Sequence, residues 1–401
     1  MAERAQVVIV GGGVAALEGA LALQALAPEA VRVELVAPER DFTYRPMLVA
    51  EPFSHGSVRA FPLRRLAEAA GASFREAVVT GVDTEQRLVR TASSDVIPYD
   101  ELLLAPGAVP VTAVPGALCF RGPAEADALG RVLGDAESGT LDRIVFAVPA
   151  GAAWALPLYE LALLARARLV DEGSSGVSIA LVTAEHSPLQ LFGAAASAAI
   201  AELLEARGIE LFTEAAPLAF ENGVLSTAPD RGIEADAAVA LPRLEGPRLA
   251  GVQQDARGFI PIDGHGQVAG EVDVWAAGDA TRFPLKQGGI AAQQADAAAE
   301  SIAARAGADV EPQPFRPVLR GLLLTGMVPR FMRAEPGTPA SSAVDTEPLW
   351  WPPAKIVGRH LAPFLAKHLG LAELLPDAAR GEAIPVEVEL TPAGHGVWSD
   401  V

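Results

Sequence analysis

The 401-residue sequence predicts an α/β protein with two Rossmann-like domains and a C-terminal α+β segment. Three observations carry this. A glycine turn joins two β-branched runs at the start. A layout of helix, strand, hairpin and strand occurs twice. A Gly-Asp turn late in the chain precedes an alanine-rich helix. The organisation that follows is a first domain over residues 1–112 and 255–310, a second over 113–254, and the C-terminal segment over 311–401.

The opening element is residues 6–10 (QVVIV), an apolar run of the kind found in buried parallel strands. Gly11-Gly12-Gly13 follows, then an Ala/Leu-rich helix over 14–26 and a second strand over 31–36. The spelling is Gly11-x-Gly13-x-x-Ala16. Gly11 permits the tight turn, and Gly13 lets backbone N–H groups and the helix start approach a pyrophosphate. Ala16 is small enough for helix–strand contact. The acid that ordinarily ends the second strand to bind a ribose is replaced by Ala37, and Glu39, two residues on, is the substitute. A solvated loop carboxylate is the alternative for Glu39.

The repeat spans 63–108 and 201–241. The first copy reads helix, Gly71, strand 73–79, hairpin 82–96, Tyr99-Asp100 and strand 101–105. The second reads helix, Gly208, strand 210–213, a hairpin around Asn222-Gly223, Ala235-Asp236 and strand 237–241. Each follows a βαβ start, at 7–36 and 144–182. Two copies of one domain explain this better than one large sheet. The second copy differs at its turn, Val148-Pro149-Ala150-Gly151-Ala152-Ala153-Trp154-Ala155-Leu156-Pro157. It has one glycine, a bulky tryptophan and two prolines. Glu185 is the nearest acid after the strand 177–182, so a nicotinamide dinucleotide is doubtful there.

The third motif is strand 272–275, then Ala276-Ala277-Gly278-Asp279, Phe283–Gly289 and a helix over 290–306. With Gly11–Gly13 and Leu103-Leu104-Ala105-Pro106-Gly107, it makes residues 1–310 resemble the two-dinucleotide-domain flavoproteins related to glutathione reductase. Phe42-Thr43-Tyr44-Arg45-Pro46 and Pro157-Leu158-Tyr159-Glu160 resemble the branch of type II NADH:quinone and sulfide:quinone oxidoreductases.

The resemblance implies two Rossmann-like domains, one for FAD and one NAD(P)H-like. It assigns FAD contacts to Gly11, Gly12, Gly13 and Ala15, to Glu39, Arg40 and Arg45, and to Val79. Ala105, Pro106 and Gly107 join them, with Gly278, Asp279, Lys286, Gln287 and Gly288 from the third motif. Asp279 would take hydrogen bonds from the ribityl chain. The helix beginning near Gly288 would aim its positive end at the flavin pyrimidine, with Lys286 adding a charge. Lys286, Tyr159 and Glu160 are the candidate catalytic residues. Tyr159 and Glu160 either face the flavin or pack between domains, and Arg45 either contacts flavin or acceptor or holds a loop.

Departures narrow the chemistry. Cys119 is the single cysteine, so neither a redox pair at 41–60 nor the flavin-face cysteines of sulfide oxidation are present. The expectation is an FAD-dependent oxidoreductase carrying two-electron transfer to a quinone-like or other small acceptor without thiols. Its partners are a small electron donor and that acceptor. A type II NAD(P)H:quinone dehydrogenase is one alternative, and a flavin-binding redox sensor or scaffold another; sulfide oxidation is disfavoured. The six histidines show no metal-ligand spacing.

Composition agrees. With 50 acidic and 31 basic residues the chain is too acidic for a nucleic-acid binder. No leader peptide is read at the start. The uncharged stretch 144–159 is too short and too broken by proline and glycine to span a bilayer. A cytoplasmic protein is expected.

Residues 312–372 carry seven basic and three acidic side chains. Ile356, Val357, His360, Leu361, Phe364, Leu365, His368 and Leu369 form a helical stripe behind Trp350-Trp351. Residues 348–372 would either dock peripherally at the inner face of a membrane or on a partner, or pack on the protein's own body with basic groups facing its acids. The second is preferred, and residues 334–348 read as a flexible loop.

Overall fold

The computed structural model describes residues 4–53 and 60–369. The first sheet has five parallel strands in the order Val274–Ala276, Glu101–Leu104, Ala5–Val10, Val31–Ala37 and Ser73–Glu76. The C-terminal halves of its central strands, Val7–Val10, Leu35–Ala37 and Leu102–Leu104, are apolar and buried because both faces are covered there. Helices Val14–Leu26 and Gly288–Arg305 pack side by side on one face, where a Cβ on Gly19 would lie 3.9 Å from Ala295. The other face carries a three-stranded antiparallel sheet, Val79–Asp83, Leu88–Thr91 and Val96–Pro98. Val82, Val89 and Ile97 bury there against Val8, Val10, Leu102 and Leu104.

The second sheet repeats the plan: Leu118–Cys119, Ala237–Ala240, Arg143–Val148, Ser178–Thr183 and Ile209–Phe212. It too carries a three-stranded antiparallel sheet, Ala216–Glu221, Val224–Ala228 and Arg231–Glu234. The repeat extends to a side-chain bond. The Asp100 carboxylate accepts the Gln6 N–H at 2.7 Å, and the Asp236 carboxylate accepts those of Asp142 and Arg143 at 2.8 and 2.9 Å. In both copies an acid satisfies N–H groups at the start of the first strand. The outermost strand differs. The second sheet takes it from just before its own βαβ unit, whereas the first takes it from Val274–Ala276, after the whole second unit. The chain therefore leaves the first sheet, builds the second and returns, crossing through the antiparallel pair Val109–Val111 and Arg243–Glu245.

The C-terminal part departs from two expectations. Residues 334–348 are no loop: Arg330–Glu335 and Thr338–Asp345 pair as a hairpin beside Leu319–Leu323. Ser341 bonds within the hairpin, accepting the Glu335 N–H at 2.8 Å and donating to the Thr338 carbonyl at 2.8 Å. The Ser342 hydroxyl donates to the Phe192 carbonyl and lies where Gly193 has no side chain. The stripe at 356–369 is not one helix either. Helix begins only at Leu361, and 355–360 is an irregular strap. Pro363 sits in the first turn, where its missing N–H costs nothing.

Ile356 and Val357 of the strap and Leu361 and Leu365 of the helix after it are buried on the protein itself. The strap's basic groups face the body's acids: Lys355 pairs with Glu160 and Arg359 with Glu300 at 3.5 Å, while the His360 imidazole lies 3.9 Å from Asp296. The side chains of His368 and Leu369 and residues 370–372 lie outside the described residues. Among the described residues no helix is long and apolar enough to cross a membrane.

Candidate cofactor site

Three parallel strands end side by side, and their ends make the site. Gly11 N–H bonds to Val36 at 2.8 Å, Ala105 N–H to Val10 at 2.8 Å and Ala277 N–H to Leu104 at 3.0 Å. This brings Gly11–Gly13, Ala105–Gly107 and Ala277–Asp279, distant in sequence, around one cleft of about 390 Å³. That volume lies within the range of small-molecule sites.

The glycines are required by geometry. Gly11 has φ +130°, and a Cβ there would stand 2.1 Å from the Ala105 carbonyl oxygen. Gly278 has φ +77°, with Ala15 and Ala291 3.2 and 3.3 Å from such a Cβ. Gly13 is different: nothing lies within 4 Å of where its side chain would be, so its backbone faces open cleft at the start of helix Val14–Leu26. The N-terminus of Gly288–Arg305 reaches the same cleft, with Gly288 and Ala291 in its wall. Two helix dipoles thus aim their positive ends at one space, as a pyrophosphate and an electron-accepting ring require.

Most of the expected cofactor residues line this cleft: Gly11, Gly12, Gly13, Ala15, Glu39, Arg45, Val79, Ala105, Pro106, Gly107, Gly278, Asp279 and Gly288. Asp279 is half-buried. Burial raises its pKa, and the charges of Lys286 and Arg45 oppose the shift.

Five expected residues stand outside the wall. Arg40 is exposed and bonds to Glu76 at 3.0 Å. Gln287 caps the late helix, accepting the Ile290 N–H at 2.9 Å. Lys286 is buried behind the wall, donates to the Thr281 carbonyl and lies over the Phe259 ring, 4.1 Å from its centroid. Burial pulls its pKa down to about 8. Tyr159 is fully buried and donates to Glu185 at 2.7 Å. Glu160, also fully buried, meets the Lys355 ammonium at 2.5 and 2.6 Å and accepts the Leu324 N–H at 2.9 Å. Neither lines the cleft: Tyr159 bonds within the second domain, and Glu160 joins that domain to the C-terminal segment.

Other residues escaped sequence reasoning. Gln294, in the second turn of the alanine-rich helix, accepts the Gly278 N–H at 2.8 Å and so fixes the Gly-Asp turn. A glutamine pair in an otherwise apolar run was the available signal. Ile356, Pro247 and Leu249 line the cleft from segments remote in sequence, which no local pattern reveals.

The second turn is built differently. Seven residues separate Val148 from the helix start at Leu156, against three between Val10 and Val14. Pro157 removes an N–H from the first helical turn. Leu156 is buried under strand Leu319–Leu323, where a Cβ on Gly321 would come within 2.9 Å of it and 2.5 Å of the Phe192 ring. Trp154 packs edge-on against Phe192, centroids 5.7 Å apart. Glu185 turns inward to the hydroxyls of Tyr159 and Thr183, at 2.7 and 2.9 Å.

Comparisons with known proteins agree with this architecture. Residues 5–300 match the model of the pyridine nucleotide-disulphide oxidoreductase family. Apoptosis-inducing factor 3 of Mus musculus is 30% identical over 226 residues, 52% of this chain and 34% of that protein. The Homo sapiens protein of that name is 28% identical over 299 residues, 70% and 46% of the two chains. The chain thus spans less than half the length of these curated relatives.

Among solved structures, a sulfide:quinone oxidoreductase from Aquifex aeolicus superposes with TM-score 0.78 at 20% identity, covering 85% of this chain and 87% of that one. NDH2 from Plasmodium falciparum gives 0.68 at 13% identity over 94% and 96%. The glycine cradle, the two helix ends and Asp279 fit the FAD that the sequence resemblance implies. The chain belongs to the pyridine nucleotide-disulphide oxidoreductase family.

Proposed function

We propose that this flavoenzyme moves two electrons from a small donor to a quinone-like or other small acceptor, without thiol chemistry and without a nicotinamide donor. The observation that carries the reading is the contrast between the two turns. One is an open glycine cradle. The other is filled by the protein's own Trp154, Phe192 and C-terminal strand. No cysteine is among the residues that line the cleft, and Cys119 is buried in the edge strand of the second sheet. The likeness to a sulfide:quinone oxidoreductase supports the choice of a quinone-like acceptor.

Bound FAD supplies the two-electron uptake and release. Gly11–Gly13 and the start of helix Val14–Leu26 would hold its pyrophosphate, and Asp279 would accept hydrogen bonds from its ribityl hydroxyls. The start of helix Gly288–Arg305 favours negative charge on the ring. Arg45, exposed at the cleft wall beside Pro46, offers a cation to a polar group of flavin or reactant. The test is a donor screen on purified holoprotein, following flavin absorbance without oxygen. NADH and NADPH at millimolar concentration should leave the flavin oxidised, and a quinone should reoxidise it after reduction by an effective donor. Bleaching within seconds by either nicotinamide would refute the donor assignment.

A further inference from the structure

The strap at 355–361 lies across the first turns of both helices that point at the flavin site. A Cβ on Gly288 would stand 3.3 Å from Ile356, and one on Gly289 3.3 Å from the Val357 carbonyl oxygen. Gly358 packs so closely that a Cβ would lie 2.2 Å from a carboxylate oxygen of Glu18 and 3.2 Å from Ala292. Ile356 lines the cleft itself, and its N–H donates to the Tyr44 hydroxyl at 3.1 Å.

What fastens the strap is Glu18, on helix Val14–Leu26 and fully buried. Its two oxygens accept the N–H groups of His360 at 2.6 Å and Leu361 at 2.8 Å, at the start of helix Leu361–Leu369. These N–H groups have no partner within their own helix, and a carboxylate there is favoured by charge as well. Glu18 also meets a second carboxyl, Asp296 of helix Gly288–Arg305, in hydrogen-bonding contact. Two carboxyl groups in such contact need a proton between them.

We propose that Glu18 and Asp296 share one proton, and that this singly protonated pair is the clasp positioning the strap over the flavin cleft. Glu18 is the ionised member, because it already accepts two backbone N–H groups. Asp296 is the protonated member and donates to it.

The groups facing the pair are few. His360 Nε2 lies 3.9 Å from Asp296, and Arg359 reaches Glu300 at 3.5 Å. Burial and the neighbouring Arg359 hold the His360 pKa down at about 4, so His360 is neutral near pH 7. Burial and the Glu18 charge raise the Asp296 pKa well above its ordinary value. The sign follows. A carboxyl with a raised folded-state pKa keeps a proton that the released strap would give up, so the clasp weakens as pH rises through that pKa. Two bare carboxylates then repel across the buried contact, and the strap lifts.

The inference rests on the cleft being the flavin site, but its principal measurement does not need the flavin. Hydrogen exchange of the His360 and Leu361 amides, corrected for intrinsic rate, is followed in the holoprotein from mildly acidic to alkaline pH. Wild type should lose at least about tenfold in protection as pH rises across that range, equivalent to 1.4 kcal/mol. Asp296→Asn, whose amide donates to Glu18 at every pH, should keep it. Glu18→Ala should lack it throughout. Iodide quenching of the flavin should rise with the same pH profile in wild type and stay flat in Asp296→Asn. Parallel profiles in wild type and Asp296→Asn, or unchanged protection in Glu18→Ala, would overturn the proposal. If Glu18→Ala fails to fold, the comparison of wild type with Asp296→Asn decides alone.

Discussion

Replacing Lys355 by methionine isolates the ion pair that joins the strap to the second domain. Glu160 has no exposed surface, and the Lys355 ammonium contacts both its oxygens; the one other donor is the Leu324 N–H. Without the lysine the fold must either bury a bare carboxylate or protonate it. Breaking a buried pair costs about 3–5 kcal/mol. Protonation caps that loss. Taking a carboxyl of ordinary pKa 4.5 to its neutral form near pH 7 costs about 2.5 pH units at 1.4 kcal/mol each, or roughly 3.5 kcal/mol.

The folded variant then holds a proton that its unfolded chain lacks. Its stability should fall as pH rises from about 4.5, by up to about 1.4 kcal/mol per unit. Urea unfolding of the holoprotein, followed by tryptophan and flavin fluorescence, measures this near pH 5.5 and pH 7. The double variant Lys355→Met, Glu160→Gln should recover most of the loss, since a neutral pair of similar size avoids the uncompensated charge. A single-variant loss below about 1 kcal/mol near pH 7, or one independent of pH, would refute the reasoning.

Other outcomes follow from the same geometry. Gly11→Ala should yield protein without bound flavin, because its Cβ would fall 2.1 Å from the Ala105 carbonyl oxygen; absorbance of the purified protein checks this. Asp279→Ala should weaken FAD retention by about 10- to 100-fold, the worth of a charge-assisted hydrogen bond or two, as read by equilibrium dialysis. Lys286 has a folded-state pKa near 8 against an ordinary 10.5, so the folded state binds its proton less tightly than the unfolded chain does. Stability should therefore rise between about pH 8 and 10.5, and Lys286→Met should flatten that rise in pH-dependent urea titrations.

The two-sheet layout was legible from local signals. The run at 6–10, the glycine turn, the Gly-Asp turn and the doubled layout all concern contiguous residues, where β-branching, turn geometry and the period of the apolar positions speak directly. Thirteen of the expected cofactor residues lie in the cleft wall for the same reason, since strand ends and turns carry fixed positions. Packing across remote segments was not legible. Glu160 and Lys355 are 195 residues apart, and Glu18 and Leu361 are 343 apart. Sequence shows one member of such a pair as an ordinary polar residue on a helix. Only the fold reveals that it is buried and against what. The hairpin at Arg330–Asp345 and the unwound strap were missed on the same physics. A serine-rich stretch becomes a strand when a neighbouring surface supplies its hydrogen bonds, and an apolar stripe leaves helical form when a remote carboxylate offers a better place to begin the helix. Sequence alone thus determined the cradle, while tertiary structure decided what covers it, because covering depends on contacts whose partners the chain brings together only by folding.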